Sequence, residues 1–180
     1  MPVRSFSKVQ KHVSKKKGKG ASSLHENSRD TLRLRRAVAR DDRVNAATAA
    51  RANMNKPLLD RVAFFQSAAQ AKESVFSNEE VHATISVFLN RDDEELETLQ
   101  SARRSGRPAS NRETLLRQKH AAEGKEYESG FWFPDLQDDD NVRKLCAWTG
   151  EWVSLGALKF VRVRKDGYKQ ESSFPPKGAS

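Results

Sequence analysis

Two short motifs decide where helices begin in this chain. SNEE at 77–80 and SNRE at 110–113 each place a serine three residues ahead of a glutamate. In a capping box of this kind the serine hydroxyl accepts from the glutamate backbone N–H, and the glutamate side chain returns to the serine N–H. After the first box, Val81, Ile85, Phe88 and Leu89, then Leu96 and Leu99, recur mostly at three- and four-residue steps, the period of one helical face. That helix is expected to bend or break near Asn90. RSGRPAS at 104–110 reads as a loop by its glycine and proline. The second box opens a helix through Leu115, Leu116 and Tyr127 that ends by Gly130. Gly124 inside it costs about 1 kcal/mol against alanine.

Upstream, Ser28 is placed to cap a helix from Arg29 to about Met54, rich in Ala, Arg and Leu and free of Gly and Pro. Asn55 is a candidate cap for a following helix, with Pro57 in the first turn, where its missing N–H does no harm. Leu58, Leu59, Val62, Phe65 and Ala69 give that second helix one apolar face. Downstream, DDDNVRKLCAW reads as a short helix with aspartates at its positive end. LKFVRVRK at 158–165 alternates like a short exposed strand. DGYKQESSFPPKGAS then reads as a loose tail.

Charge is distributed unevenly. Of the formal net +9, residues 1–61 carry +11, residues 62–136 carry −4 and residues 137–180 carry +2. A surface that seeks a polyanion is therefore concentrated in the first third. Residues 1–24, with KKKGKGASS, offer little to bury and are expected to be disordered until bound; Lys8, Lys11, Lys15, Lys16, Lys17 and Lys19 are its cations. Arg29, Arg33, Arg36, Arg40 and Arg43 step by 4, 3, 4 and 3, which puts all five on one helical face. At ~1.5 Å per residue this stripe is about 21 Å long. Like charges so spaced weaken a free helix, so an outside partner would explain them, and arginine's planar fork suits phosphate. The alternative is a solvated helix face partly neutralised by Asp30, Asp41 and Asp42.

Only 36% of residues are apolar and 32% are charged, with a mean hydropathy of −0.81, so any core is modest. The aromatic group Phe131, Trp132, Phe133, Trp148 and Trp152 is the obvious material for it. Exposed rings stack on bases, but acidic flanks on both sides of GFWFPDL repel phosphate. Trp148 and Trp152 also share helical spacing. The reading taken is core: in an extended segment Phe131 and Phe133 point one way, and Trp132 points the other and is the ring expected to stay exposed.

No apolar run approaches the ~20 residues a bilayer needs. No apolar stretch follows the basic start, so a secretory signal is not expected. A single cysteine, Cys146, gives no internal disulfide and fits a reducing compartment. The four histidines lack metal-ligand spacing, no phosphate-binding glycine loop or nucleophile motif is present, and His82 reads as packed. The run DDEELE at 92–97 reads either as a cation or basic-tail site or as a solvated turn. Nothing in these patterns calls for an enzyme, a cofactor or a small-molecule substrate.

Several stretches together resemble the translation machinery-associated protein sixteen family. They are HENSRDTLRLRRAVARDDRV (25–44), VAFFQ (62–66) and VHATISVFLNRDDEELETLQSARRSGRPASNRETL (81–115), then EYESGFWFPDL (126–136) and NVRKLCAWTGEWVSLGALKFVRVRK (141–165). One departure is Glu26, where the family shows proline. The resemblance implies a nuclear, non-catalytic factor bound to precursors of the large ribosomal subunit, in contact with rRNA, ribosomal proteins and other assembly factors. Arg29, Arg33, Arg36, Arg40 and Arg43 match its basic segment, and Arg103, Arg104 and Arg107 its RR-x-G-R-P loop. Composition alone also fits a general DNA- or chromatin-binding protein. The expected fold is mainly α: a basic tail (1–24), a basic helix (25–56), a helical body (57–130), an aromatic cap with a short helix and strand (131–166), and a tail (167–180).

Overall fold

Ser77 and Glu80 close the first capping box in both directions: the Ser77 N–H donates to Glu80 Oε2 at 2.7 Å, and the Glu80 N–H to Ser77 Oγ at 3.3 Å. The helix that follows, α3 (Asn78–Leu89), stops at Asn90, and α4 (Asp93–Ser101) restarts after it. The second box forms only its first half. Ser110 Oγ accepts from the Glu113 N–H at 3.1 Å and caps α5 (Asn111–Ser129), but the Glu113 side chain turns to arginines instead.

The computed structural model describes residues 5–18, 24–72, 74–104 and 106–176. The chain forms two compact units, Met1–Lys56 and Pro57–Ser180. The first unit holds α1 (Phe6–Lys17) and the start of α2 (Arg29–Lys72). Composition leads to the expectation that residues 1–24 are disordered until bound; of the described residues among them, Phe6–Lys17 form a helix. Phe6, Val9 and Val13 step by 3 and 4, so α1 has an apolar face, and it packs against Leu24, Leu34 and Ala37. The lysines between these positions hide that spacing.

A second correction concerns Asn55, which caps nothing. It lies inside α2, which continues through Pro57 to Lys72. The proline removes one N–H and its bond to the turn before. An alanine-rich stretch precedes it and a buried face of Val62, Phe65 and Ala69 follows, so the helix persists.

In the second unit, Val62, Phe65 and Ala69 meet Val81, Ile85 and Phe88 of α3. A three-stranded antiparallel sheet, ordered β1 (Phe131–Pro134), β2 (Phe160–Val163), β3 (Lys169–Ser172), completes the core. The register sets Phe131 opposite Val163 and Phe133 opposite Val161. That face meets the helices: Phe65 lies 5.1 Å from Phe133 and Phe88 lies 5.6 Å from Phe131, between ring centroids. Gly130, at φ +143°, makes the turn from α5 into β1; a Cβ there would lie 3.4 Å from Arg162 Cβ.

The other face of the sheet is covered as well. Trp132 stacks on Phe160 at 4.4 Å, and Phe174, beyond β3, packs on Phe160 at 5.6 Å. Trp132 is therefore 1% exposed, against the expectation that it would face solvent. Part of that cover is Phe174, within the stretch 167–180 expected to be a loose tail. Asp166-Gly167 forms the turn into β3, and β2 becomes the buried centre strand rather than an exposed one. The short helix α6 (Asp139–Cys146) starts at Asp138, whose side chain accepts from the Asp140 N–H. Trp148 follows α6 and Trp152 opens a separate 3-10 turn (Val153–Ala157), so they share no helix. Buried Asn141 ties α6 to the sheet: its Nδ2 donates to the Asp135 and Lys159 carbonyls, and its Oδ1 accepts from the Lys159 N–H.

Candidate nucleic-acid interface

The basic surface is a helical hairpin. The Phe6 N–H donates to Asp41 Oδ2 at 2.8 Å, which fixes the start of α1 beside the C-terminal end of the arginine segment. Ser28 caps α2 as expected, accepting from the Thr31 N–H at 3.2 Å. Glu26, the departure from the family pattern, pairs with Arg35 at 2.9 Å.

With Leu34, Ala37 and Asp41 turned toward α1, the stripe of Arg29, Arg33, Arg36, Arg40 and Arg43 falls on the flank of α2. All are exposed except Arg40, which is half-buried. Among the described residues Arg29, Arg33, Arg36 and Arg40 make no ion pair, and Arg43 donates only to the Ala39 carbonyl. On α1, Lys8, Lys11 and Lys15 step by 3 and 4 on the side away from Val9 and Val13. They and Lys16 are exposed and unpaired among the described residues. Lys17 closes α1, and Lys19 lies outside the described residues. Sequence reasoning missed Arg51. It continues the stripe by two steps of four from Arg43, and it is exposed.

The second unit treats its cations differently. Arg61 pairs with Glu126, Arg91 with Glu123, Arg112 with Glu95, Lys119 with Asp92 and Lys169 with Asp135, at 2.7 to 2.9 Å. Residues 1–56 hold 15 Lys and Arg against 4 Asp and Glu, whereas residues 57–180 hold 18 against 20. The contrast is between a first unit whose cations mostly face outward and a second in which many, though not Arg104, Arg107, Lys125 or Lys144, are neutralised by acids, most of them clasping elements together.

DDEELE belongs to the clasping kind. Asp92 and Glu95 bind Lys119 and Arg112 of α5. Burial pushes the Asp92 carboxyl up, but the Lys119 hydrogen bond, with Arg91 and Arg112 nearby, outweighs it and holds the group below its ordinary value. Arg112 likewise holds Glu95 low. Among the described residues no group of His, Cys, Asp and Glu is arranged to hold a metal ion. His82 is packed, with Nδ1 2.6 Å from the Tyr127 hydroxyl. No helix of the described residues is long and apolar enough to cross a membrane.

The third predicted basic group, Arg103, Arg104 and Arg107, lies around one hollow in the loop between α4 and α5. Phe131, Trp132 and Phe133 are each buried and offer no ring for a base to stack on.

These features define a mainly helical protein with a small antiparallel cap and an exposed cationic hairpin. The chain belongs to the family described as Translation machinery-associated protein 16, whose model matches residues 20–165, from before α2 through β2. The protein of that name from Saccharomyces cerevisiae is 37% identical over 172 residues, 93% of this chain and 96% of its own length. The Danio rerio protein is 25% identical over 83% of this chain and 80% of its own, and that of Mus musculus 23% identical over 83% and 70%. The family is described by what it associates with and not by a reaction.

Proposed function

We propose that this protein is a non-enzymatic assembly factor of the large ribosomal subunit, acting in the nucleus on subunit precursors. The hairpin of the first unit grips rRNA. The helical body and aromatic cap dock ribosomal proteins and other assembly factors. Two supports converge: membership of a family named for association with the translation machinery, and the unpaired rows on α1 and α2.

The unpaired rows carry the reading. Arginines and lysines at helical spacing repel one another, and among the described residues Arg29, Arg33, Arg36, Arg40, Lys8, Lys11, Lys15 and Lys16 make no ion pair that would relieve them. RNA phosphates would do so, with release of counterions as the driving term. Arginine forks bind phosphate oxygens in pairs, which favours a stripe rich in arginine over one of lysine alone.

Competition between an rRNA fragment and duplex DNA, at one fixed salt concentration, tests the assignment. The expected result is preferential displacement by the rRNA. Equal or tighter binding to duplex DNA would contradict it and favour a general chromatin protein.

A further inference from the structure

The loop between α4 and α5 separates its three arginines by what each touches. Arg103 lies 3.7 Å from Oε1 of Glu113, and Arg117 of α5 reaches the same oxygen at 2.7 Å. The Glu113 side chain is 1% exposed, and this oxygen accepts no aligned hydrogen bond. A buried carboxylate is tolerated only when paired, so Arg103 and Arg117 are held to it by charge. Glu113 thereby pins one end of the loop to the first turn of α5.

Arg104 and Arg107 stand on the other side of that division. Neither makes an ion pair among the described residues, and both are exposed. The Arg107 N–H donates to the Arg104 carbonyl at 3.1 Å, and Gly106 takes φ +81° within the turn. Together with Gln100, Arg103, Gly106 and Pro108 these two arginines line a hollow of about 470 Å³, and no carboxylate is among its lining residues. Two unpaired guanidinium groups on a turn fixed at its base form a ready receptor for a tetrahedral anion.

We propose that Arg104 and Arg107 are a second phosphate-binding site, carried by the second unit and engaging the RNA backbone, and that Glu113 is its positioning residue, acting through Arg103. The inference rests on the RNA-binding function proposed above and deepens it. It assigns the RNA a contact outside the hairpin and assigns Arg103 a structural part, where the sequence had grouped all three arginines as ligands. A phosphodiester is the ligand argued for, because the first unit of the same chain presents unpaired cations in rows suited to a polyanion.

The test uses the full chain and a labelled single-stranded RNA titrated over a series of salt concentrations. Arg104→Ala/Arg107→Ala is expected to melt like the unmodified chain and to lower the slope of log affinity against log salt by about 1.4, at roughly 0.7 per lost contact. Glu113→Gln and Arg103→Ala are expected to lower the slope although Arg104 and Arg107 remain, and Arg103→Lys to restore it. Each is measured at a temperature below that variant's melt. An unchanged slope in the double variant, with RNA still bound, would overturn this inference and leave the hairpin reading standing. So would loss of binding to a polyglutamate probe with no change toward RNA, which would make the hollow a site for an acidic protein. An unchanged slope in folded Glu113→Gln would remove its positioning role. Failure of the unmodified chain to bind RNA at all would overturn this inference and the proposed function together.

Discussion

Arg61 and Glu126 form a two-pronged pair, Nη1 to Oε1 and Nη2 to Oε2, each at 2.7 Å. The pair joins α2 to α5, and both partners also hold β1. Arg61 donates to the Trp132 carbonyl at 3.0 Å and lies 4.3 Å from the Phe131 ring centroid, while Glu126 accepts from the Trp132 N–H at 3.2 Å. One ion pair thus joins α2 to the consecutive elements α5 and β1. The arginine side chain is 9% exposed, so removing its partner leaves a buried charge. Arg61→Ala is expected to destabilise the protein by about 3 kcal/mol, the low end for a buried pair because Glu126 keeps some contact with solvent. Denaturant melts of the two single variants and the double variant give the coupling. Near-additive effects would show that the two side chains do not act together.

Phe133→Ala is expected to destabilise the protein by ~3–5 kcal/mol, the usual result of emptying a buried aromatic site. Because Trp132 is stacked on Phe160 and buried on the opposite face, Trp132→Ala should fall in the same range of ~3–5 kcal/mol, and not be mild. Thermal melts of both variants decide this. A normal melt for Trp132→Ala would mean that its face of the sheet is open.

What the sequence made legible was local. Ser77 and Ser110 each cap a helix where the glutamate three positions on implied, and Ser28 caps one where its place ahead of a helical run implied. The breaks at Asn90 and Gly130 followed from residue type. What it hid was non-local. Phe174 lies 14 residues beyond Phe160, and nothing in FPP announces that its ring covers the second face of the sheet. The Asp166-Gly167 turn was readable, but a strand as polar as KQES carries no alternation to mark it. The face of α1 was readable too, from Phe6, Val9 and Val13, but was masked by the lysines around it. In the candidate interface, the arginine stripe was plain from spacing alone. The split between paired Arg103 and unpaired Arg104 and Arg107 was not, because it depends on which side Glu113 is buried.

The small cluster of Phe6, Val9, Val13, Leu34 and Ala37 is separate from the core of the second unit. Val13→Asp should therefore release α1 without moving the main cooperative melt. Hydrogen exchange should show lost protection over residues 6–17, and RNA affinity should fall because the α1 lysines are no longer held in a row. Lost protection throughout residues 57–172 would show that the two units fold as one.

Glu80 carries a pH signature. The Lys72 ammonium, aided by the Ser77 N–H and hydroxyl, holds the Glu80 carboxyl at about 2, below its ordinary 4.5. The folded value is the lower one, so its contribution to stability is present above pH 4.5 and is lost as pH falls through 2. Lys72→Ala is expected to raise the Glu80 value toward 4.5 in an NMR titration, and to flatten the acid dependence of stability within that window. A Glu80 titration unaffected by the substitution would assign the shift to Ser77 alone.

The central claim is that the unpaired cations of the hairpin hold rRNA of large-subunit precursors. Ultraviolet crosslinking in cells, with crosslinked peptides and nucleotides both mapped, tests it most directly. The account predicts crosslinks that concentrate on peptides within residues 5–56, with a second group at the loop around Arg104 and Arg107, all joined to a few segments of large-subunit rRNA. Crosslinks spread over unrelated RNAs, or confined to the cap with none on the hairpin, would contradict it.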